Sequence, residues 1–356
     1  MILHIFPDEK FTEDYIERVN RLFHSGEHYF YIYTKGERRF CNKEFVESLN
    51  NVGFINDLFQ KESKFVEIYK KSERVIFHGL FLRYFDMLYF YRLKKRYNKY
   101  YVWVIWGGDL YDFYNAAHKN PTIILFMKEM LRKKFIEQLE AAVTNYDYEE
   151  LKERYKTSAI HQMAIYSYQL FPEAADKVEN GTFTKVMVGH SATKTCRHQE
   201  TFELLRPYVG KIQVYCPLSY PDNKTYIAAV EKRGREIFGN QFFPLKEFMP
   251  YDKYISFLGS IDIGIFNNNR QQGMGNITNL LYLGKKVYLS KDNNIRKVYC
   301  RPSYIIFDSE KIEETEFFRT LSKKEKERNR QQIELFLSDK EFVRSWGEIF
   351  YKKAQK

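Results

Sequence analysis

The chain reads as an α/β protein made of two doubly wound domains, each a parallel sheet with helices on both faces. Three observations predict this. Short apolar runs alternate with amphipathic helical patterns, once up to Tyr168 and again from Lys185. The stretch between, Pro172–Thr184, holds Pro, charges and Asn180-Gly181 without periodicity, and marks a domain boundary. The apolar runs end in polar or glycine-containing loops, and in such sheets ligands sit beyond the carboxyl ends of the strands. A chain of 356 residues is long enough for each half to bury its own core.

In the first half, Met1–Phe6 is a strand, and Phe11, Tyr15, Ile16, Val19, Leu22 and Phe23 recur at helical spacing. His28–Thr34 is a second strand, followed by a mixed segment to about Lys71. Arg74–Phe77 is a third strand and ends in His78-Gly79. Leu80–Tyr97 is helical in pattern, aromatic on one side and basic toward its end. That helix suits either a core-packed helix with a solvated basic end or an interfacial helix at an anionic bilayer. Tyr100–Trp106 is an apolar strand ending in Gly107-Gly108-Asp109. A helix over Leu125–Leu139, a short strand near Ala141–Thr144 and a last strand over Met163–Tyr168 complete this half.

The second half opens with strand Lys185–Val188, which ends in Gly189-His190-Ser191. Strand Ile212–Cys216 runs into PLSYPDN, where Asn223 caps a helix whose buried stripe is Tyr226, Ile227 and Val230. Helix Asp252–Leu258 leads to the most informative stretch, Ile261–Ile277. There a buried strand to Phe266 turns at once into the polar run Asn267–Gln272. Gly273 and Gly275 follow, then a helix over Thr278–Leu283. Strand, tight loop and helix N-terminus suit an anion, because the first N–H groups of a helix point outward unpaired. Arg270 forks onto phosphate oxygens in this reading, and the alternative is a surface loop with turn glycines. Strands Lys286–Leu289 and Tyr304–Phe307 follow. Two terminal helices carry capping boxes, Ser322-x-x-Glu325 and Ser338-x-x-Glu341. The last has Phe342, Trp346, Ile349 and Phe350 on one face, so it must dock.

Composition narrows the partners. A net charge of +11 and a pI near 9.1 fit an anionic partner or a generally basic solvated surface. Cys41, Cys196, Cys216 and Cys300 are scattered without zinc spacing, which predicts reduced thiols in a cytoplasmic protein. The opening MILHIF is too short for a signal-peptide core, and no run of about 18 apolar residues is present to span a membrane.

The strand-end residues form the candidate site. Asp109 and His78 are the candidate proton-handling groups of the first half. Asp109 equally suits a turn or N-cap residue, and His78 a hydrogen-bonded structural histidine. His190 and His198 are ligand contacts or helix-start residues. Tyr220 and the Asn267–Asn276 loop lie beyond two further strands. No Asp-x-Asp pair occurs, so a bound diphosphate is expected to be neutralised by the helix N-terminus and Arg270, with no divalent metal.

At these residues the sequence resembles glycosyltransferase family 56. The likeness is carried by WGGDLYDF (Trp106–Phe113), VGHSATKTCRHQET (Val188–Thr201), CPLSYPDNKTYIAAVEKRG (Cys216–Gly234), DIGIFNNNRQQGMGNI (Asp262–Ile277) and FHG (Phe77–Gly79). It is dense between Val188 and Leu289 and thinner before Arg74. The family contains enzymes that move 4-acetamido-4,6-dideoxygalactose from dTDP to a lipid-linked glycan. The resemblance implies a GT-B fold, two Rossmann-like domains facing a central cleft, with the last helix packing back on the first domain. It implies an acceptor-side domain over residues 1–175, a nucleotide-sugar domain over 185–330, and returning helices over 331–356. Donor contacts then fall on Gly189, His190, Ser191, His198, Tyr220, Arg270, Gln271, Gln272, Gly273, Met274, Gly275 and Asn276, with the Phe243–Met249 segment flanking base and ribose. Asp109 and His78 would face the acceptor hydroxyl. The implied partners are a dTDP-sugar or similar donor, a polyprenyl-linked glycan acceptor and the anionic inner face of the cell membrane, with no nucleic acid. The rival readings are a non-catalytic binder of nucleic acid or another anionic polymer, served by basic residues among Tyr and Phe, and another sugar-nucleotide enzyme such as an epimerase.

Overall fold

Two all-parallel sheets carry the fold, and each belongs to its own compact unit: residues 1–167 with 337–356, and residues 168–336. The computed structural model describes residues 1–9, 11–34, 40–55, 63–111, 122–166, 170, 182–296 and 304–352. Most of the expected linker, Cys300 and the end of the WGGDLYDF motif lie outside the described residues.

The first unit has a seven-stranded sheet in the order β3-β2-β1-β4-β5-β6-β7. Its strands are β1 (Ile2–Pro7), β2 (His28–Tyr33), β3 (Val52–Ile55), β4 (Arg74–His78), β5 (Tyr100–Val104), β6 (Ala141–Val143) and β7 (Ile160–Gln162). Alternation divides its residues between two cores. Leu3, Ile5, Tyr31 and Phe77 pack with Phe90 of helix α4 (Tyr84–Tyr97) and Phe135 of helix α5 (Ile123–Ile136). Ile2, Phe6, Phe30 and Ile76 face the other way. They meet helix α1 (Thr12–Leu22) through Tyr15, Ile16 and Val19, and the last helix, α13 (Asp339–Tyr351), through Phe342, Trp346, Ile349 and Phe350. Asp339 pairs with Arg18 and Arg21 of α1 at 3.0 and 2.6 Å. Trp346 Nε1 donates to Ile165 O at 2.8 Å. The last helix therefore docks with the face its sequence marks.

The structure corrects several boundaries. The mixed segment to Lys71 holds α2 (Lys43–Ser48), β3 and α3 (Ser63–Lys71), elements too short to show a clear period. The last strand described is Ile160–Gln162; of the expected strand Met163–Tyr168, residues 167 and 168 lie outside the described residues, and Ala164 and Ile165 bury against α13 instead of pairing in the sheet. Helix α6 (Tyr148–Arg154) precedes it.

The second unit has a six-stranded sheet in the order β10-β9-β8-β11-β12-β13. Its strands are β8 (Thr184–Val188), β9 (Ile212–Pro217), β10 (Phe242–Leu245), β11 (Ile263–Phe266), β12 (Lys286–Leu289) and β13 (Phe307–Asp308). Helices α7 (His198–Leu205), α8 (Lys224–Phe238), α9 (Tyr251–Ser260) and α10 (Met274–Tyr282) connect them, and α11 (Glu314–Phe318) and α12 (Lys323–Leu337) follow. Asn223 caps α8 by accepting from Tyr226 N at 3.2 Å. Ser322 and Glu325 form a reciprocal box at the start of α12, with bonds of 2.8 and 3.3 Å. Helix α10 begins at Met274, four residues earlier than its apolar pattern suggests, because Gly273 makes the left-handed turn that starts it.

Candidate functional site

In the second unit the strand order reverses between β8 and β11, which lie side by side with their loops at the same end. That switch point is where open α/β sheets bind ligands. The loop after β8 turns at Gly189, with φ +70°. The loop after β11 ends at Gly273, with φ +71°, and among the described residues no side chain caps the helix that follows. The two loops touch. A Cβ on Gly273 would lie 3.1 Å from the His190 ring, and Thr195 Oγ1 donates to Gln272 Oε1 at 2.5 Å. Asn268 Nδ2 reaches back to Gln272 O at 3.3 Å. The uncapped first turn of α10 keeps N–H groups for an anion, and Gly275 has open space where a side chain would stand.

His190 is buried and bridges two neighbours: Nε2 lies 3.0 Å from Ser191 Oγ, and Nδ1 lies 3.4 Å from Cys196 Sγ. Burial works to raise the Cys196 thiol, but the charge and hydrogen bonding of His190, with the Thr193 hydroxyl, bring it down to about 6. His198 is the first residue of α7, and its ring is fully buried. Nδ1 pairs with Tyr226 Oη at 2.9 Å, while Nε2 has no hydrogen-bond partner among the described residues and faces Gly189. Burial, then His190, lowers its pKa to about 3, so the ring is neutral. Asn268 Oδ1 and Gln271 Oε1 are likewise buried without a partner among the described residues. One ring nitrogen and two amide oxygens left this way beside one switch point suit a ligand that carries hydroxyl or N–H groups. Arg270, Met274 and Asn276 are half-buried in the same loop. Tyr220 is exposed, and its carbonyl accepts from Ala192 N at 2.7 Å. Phe243 is already stacked on Tyr215, with ring centroids 4.8 Å apart.

In the first unit the strand order reverses between β1 and β4, and both expected proton-handling residues lie near that point. Neither is open to solvent. Asp109 is buried, and its carboxylate accepts from Leu80 N (2.8 Å), Trp103 Nε1 (2.7 Å) and Trp106 N (2.9 Å). Burial pushes its pKa up against these three donors and the Arg132 charge. Arg132 of α5 donates to the carbonyls of Leu80 and Asp109. Asp109 thus ties the end of β4 to the end of β5. His78 is fully buried, with His4 Nδ1 3.0 Å from its Nε2 and Tyr166 Oη 2.5 Å from its Nδ1. Burial holds its pKa well below the usual value.

Sequence reading gave no site role to Cys196, Thr195 and Tyr226 in the second unit, or to His4, His28, Trp106 and Tyr166 in the first. Cys196, Thr195, Tyr226 and Trp106 lie inside the quoted motifs. His4 and His28 gave only one signal, a lone polar residue in an apolar strand. Among the described residues no group of three His, Cys, Asp or Glu side chains is placed to hold a metal ion.

Two fully parallel sheets, each in its own unit, with glycine turns at the switch point of the second, make an α/β fold of the GT-B type. The solved structures it resembles agree. Anabaena HepE in complex with UDP and glucose has 9% identity and a TM-score of 0.67, covering 98% of each chain. A glycosyltransferase from Rickettsia africae has 15% identity and a TM-score of 0.64, covering 98% of this chain and 97% of its own. Sucrose-phosphate synthase from Thermosynechococcus elongatus has 10% identity and a TM-score of 0.65, covering 98% of each. The family model of 4-alpha-L-fucosyltransferases, glycosyl transferase group 56, matches residues 51–355, and the chain belongs to that family.

Proposed function

We propose that this glycosyltransferase moves a deoxy-amino or fucose-like sugar from dTDP to a lipid-linked glycan, as a metal-independent hexosyltransferase. The observation that carries the donor half is the β8–β11 switch point, where the start of α10 has no side-chain cap and where His198 Nε2, Asn268 Oδ1 and Gln271 Oε1 have no partner among the described residues, the two amide oxygens being acceptors for sugar hydroxyls. A diphosphate there takes its hydrogen bonds from backbone N–H groups and from Arg270, which removes the need for a bridging cation. The UDP in the HepE structure makes UDP the first competitor to test.

The acceptor half rests on a surface. Helix α5 exposes Ile123, Ile124, Phe126, Met127 and Met130 in its first two turns, and the adjacent α4 exposes Phe85. Toward the other ends of the same two helices Arg92, Lys95, Arg96, Lys133 and Lys134 are exposed. Exposed apolar side chains with cations further along the same helices suit an anionic bilayer, the place of a polyprenyl-linked acceptor, at the inner face of the cell membrane. Among the described residues no helix is long and apolar enough to cross a membrane.

Thermal unfolding in chelator with dTDP, UDP, GDP, CDP or ADP tests the donor site. One diphosphate, dTDP, is expected to raise the melting temperature by mass action, and Arg270→Ala to blunt the rise. A flat panel in chelator that responds once magnesium is added would overturn metal independence. A panel flat in both would overturn the donor site.

A further inference from the structure

The loops after β8 and β11 are joined by a chain of polar side chains that ends on Gln272. A single 3₁₀ turn, Lys194–Cys196, brings Thr195 and Cys196 back to the residues before it. Cys196 Sγ lies 3.4 Å from His190 Nδ1, and His190 Nε2 lies 3.0 Å from Ser191 Oγ. Ser191 Oγ lies 3.1 Å from Thr193 Oγ1, which lies 3.1 Å from Thr195 Oγ1. Thr195 Oγ1 meets Gln272 Oε1 at 2.5 Å. Thr193 Oγ1 also stands 3.3 Å, and Ser191 Oγ 3.7 Å, from Cys196 Sγ, a weak acceptor. His190, Ser191 and Cys196 are buried, and Thr193, Thr195 and Gln272 half-buried.

The direction of the chain follows from its hydrogens. A serine or threonine hydroxyl has one to give, a neutral imidazole has one, and an amide oxygen only accepts. With Gln272 Oε1 at the end, Thr195 donates to Gln272 and accepts from Thr193. Thr193 accepts from Ser191, Ser191 accepts from His190 Nε2–H, and His190 Nδ1 faces the Cys196 thiol. On whichever side of the Nδ1–Sγ contact the thiol proton lies, Nε2 keeps its own hydrogen and the direction stands. Turning the Gln272 amide over would set its Nε2–H on Thr195 and reverse every bond back to His190. Amide orientation and chain direction are one choice. The 2.5 Å contact decides it, because O–H···O bonds reach that length whereas N–H···O bonds begin at about 2.7 Å.

Gln272 is held on its other side too, its backbone carbonyl accepting from Asn268 Nδ2 at 3.3 Å. Its Nε2, on the same carbon as Oε1, donates to no group among the described residues. The next residue, Gly273, opens α10. Asn268 and His198, beside the same turn, each keep a buried polar atom without a partner among the described residues.

We propose that Cys196, His190, Ser191, Thr193 and Thr195 position Gln272, so that its Nε2 hydrogens face the diphosphate of the donor. This rests on the donor site proposed above. An amide has a donor end and an acceptor end, and an anion takes only the donor end. Turned over, the same side chain would set its oxygen against phosphate oxygens. Hydrogen bonds aligned in one direction polarise one another, so the chain strengthens Gln272 Nε2 as a donor. Gln272 then adds an uncharged donor to the N–H groups at the start of α10. Thr195 is a positioning residue, acting through Gln272 without touching substrate.

Calorimetric titration of the full-length chain with dTDP, and with UDP as the first competitor, tests this. Thr195→Val keeps the shape of the side chain and removes the last hydroxyl. It is expected to weaken binding about tenfold, the loss of one hydrogen bond to an anion. Thr195→Ser restores the hydroxyl and is expected to bind like wild type. Gln272→Leu is expected to weaken binding about tenfold as well, and Thr195→Val to cost nothing further once Gln272 is replaced. A Thr195 that merely supports the loop would add its loss to that of Gln272→Leu. Wild-type affinity in Thr195→Val, or additive losses in the double variant, would overturn the proposal. Nitrogen-15 spectra of side-chain amides in the wild-type chain decide it where a variant fails to fold. The Gln272 Nε2 resonance is expected to shift on saturation with the diphosphate, and an unmoved resonance would overturn the proposal. A wild-type chain that binds neither diphosphate would defeat the donor reading itself, and the role of Gln272 with it.

Discussion

Gly189→Ala measures how tightly the candidate donor site is built. Two costs add. Gly189 has φ +70°, where a side chain costs about 1–2 kcal/mol. The new Cβ would also fall 2.5 Å from His198 Nε2 and 3.2 Å from Cys196 Cβ. His198 cannot swing aside freely, because it is buried and its Nδ1 is held by Tyr226 at 2.9 Å. Forcing such a contact costs a further 1–3 kcal/mol or so. The total is about 2–5 kcal/mol. Gly210→Ala is the control: its φ is +85°, but nothing lies within 4 Å of the added Cβ, so it carries only the backbone cost. The difference between the variants, about 1–3 kcal/mol, is the steric part. Calorimetry of the second unit's transition reads it. Trp fluorescence is the internal reference, since Trp103, Trp106 and Trp346 all belong to the first unit and should report no change. Equal losses in the two variants would refute the packing of His198 on Gly189.

Two other perturbations follow from the same reasoning. His4, His28, His78 and His198 are buried and neutral, with pKa values lowered by burial, to about 4 for His28 and about 3 for His198. Because the folded values lie below the unfolded one, their stability contribution is complete above about pH 6.5 and falls as pH drops. Each is expected to cost up to about 2 kcal/mol by pH 5, so urea midpoints should fall steeply between pH 6.5 and 5; a flat profile would mean these rings accept protons in the fold. Sedimentation with phosphatidylglycerol vesicles reads the α5 surface. Exchanging Ile124 and Phe126 for Ser is expected to lower binding at least tenfold, since each side chain carries about 1.5–3 kcal/mol of transfer energy; undiminished binding would place membrane contact elsewhere.

The architecture was legible in local pattern because parallel strands buried on both faces read as apolar runs, and helices between them read as stripes. Strand ends and the terminal helix's apolar face followed from the same periods, as did the glycine-rich loop after β11. The family followed from motifs in those loops. Short elements did not: α2, β3 and β10 are too brief for a period, and the apolar Ala164 and Ile165 bury without pairing in a sheet, the Ile165 carbonyl accepting from Trp346.

What the amino-acid order could not show is which strand ends share a neighbour. His78 and Asp109 were read as proton-handling candidates or as structural residues, and strand order draws each into the interior. Asp109 spends its carboxylate on three N–H donors from the ends of β4 and β5. His78 becomes one member of a row whose other members, His4 and His28, lie 74 and 50 positions earlier. Sequence alone determined the residue types, the alternation that sends them to one face, and the glycines that permit tight turns. Only the tertiary structure decided register and strand order, because these depend on pairing between segments far apart in the chain. A shift of one residue would have sent every one of those histidines to the opposite face.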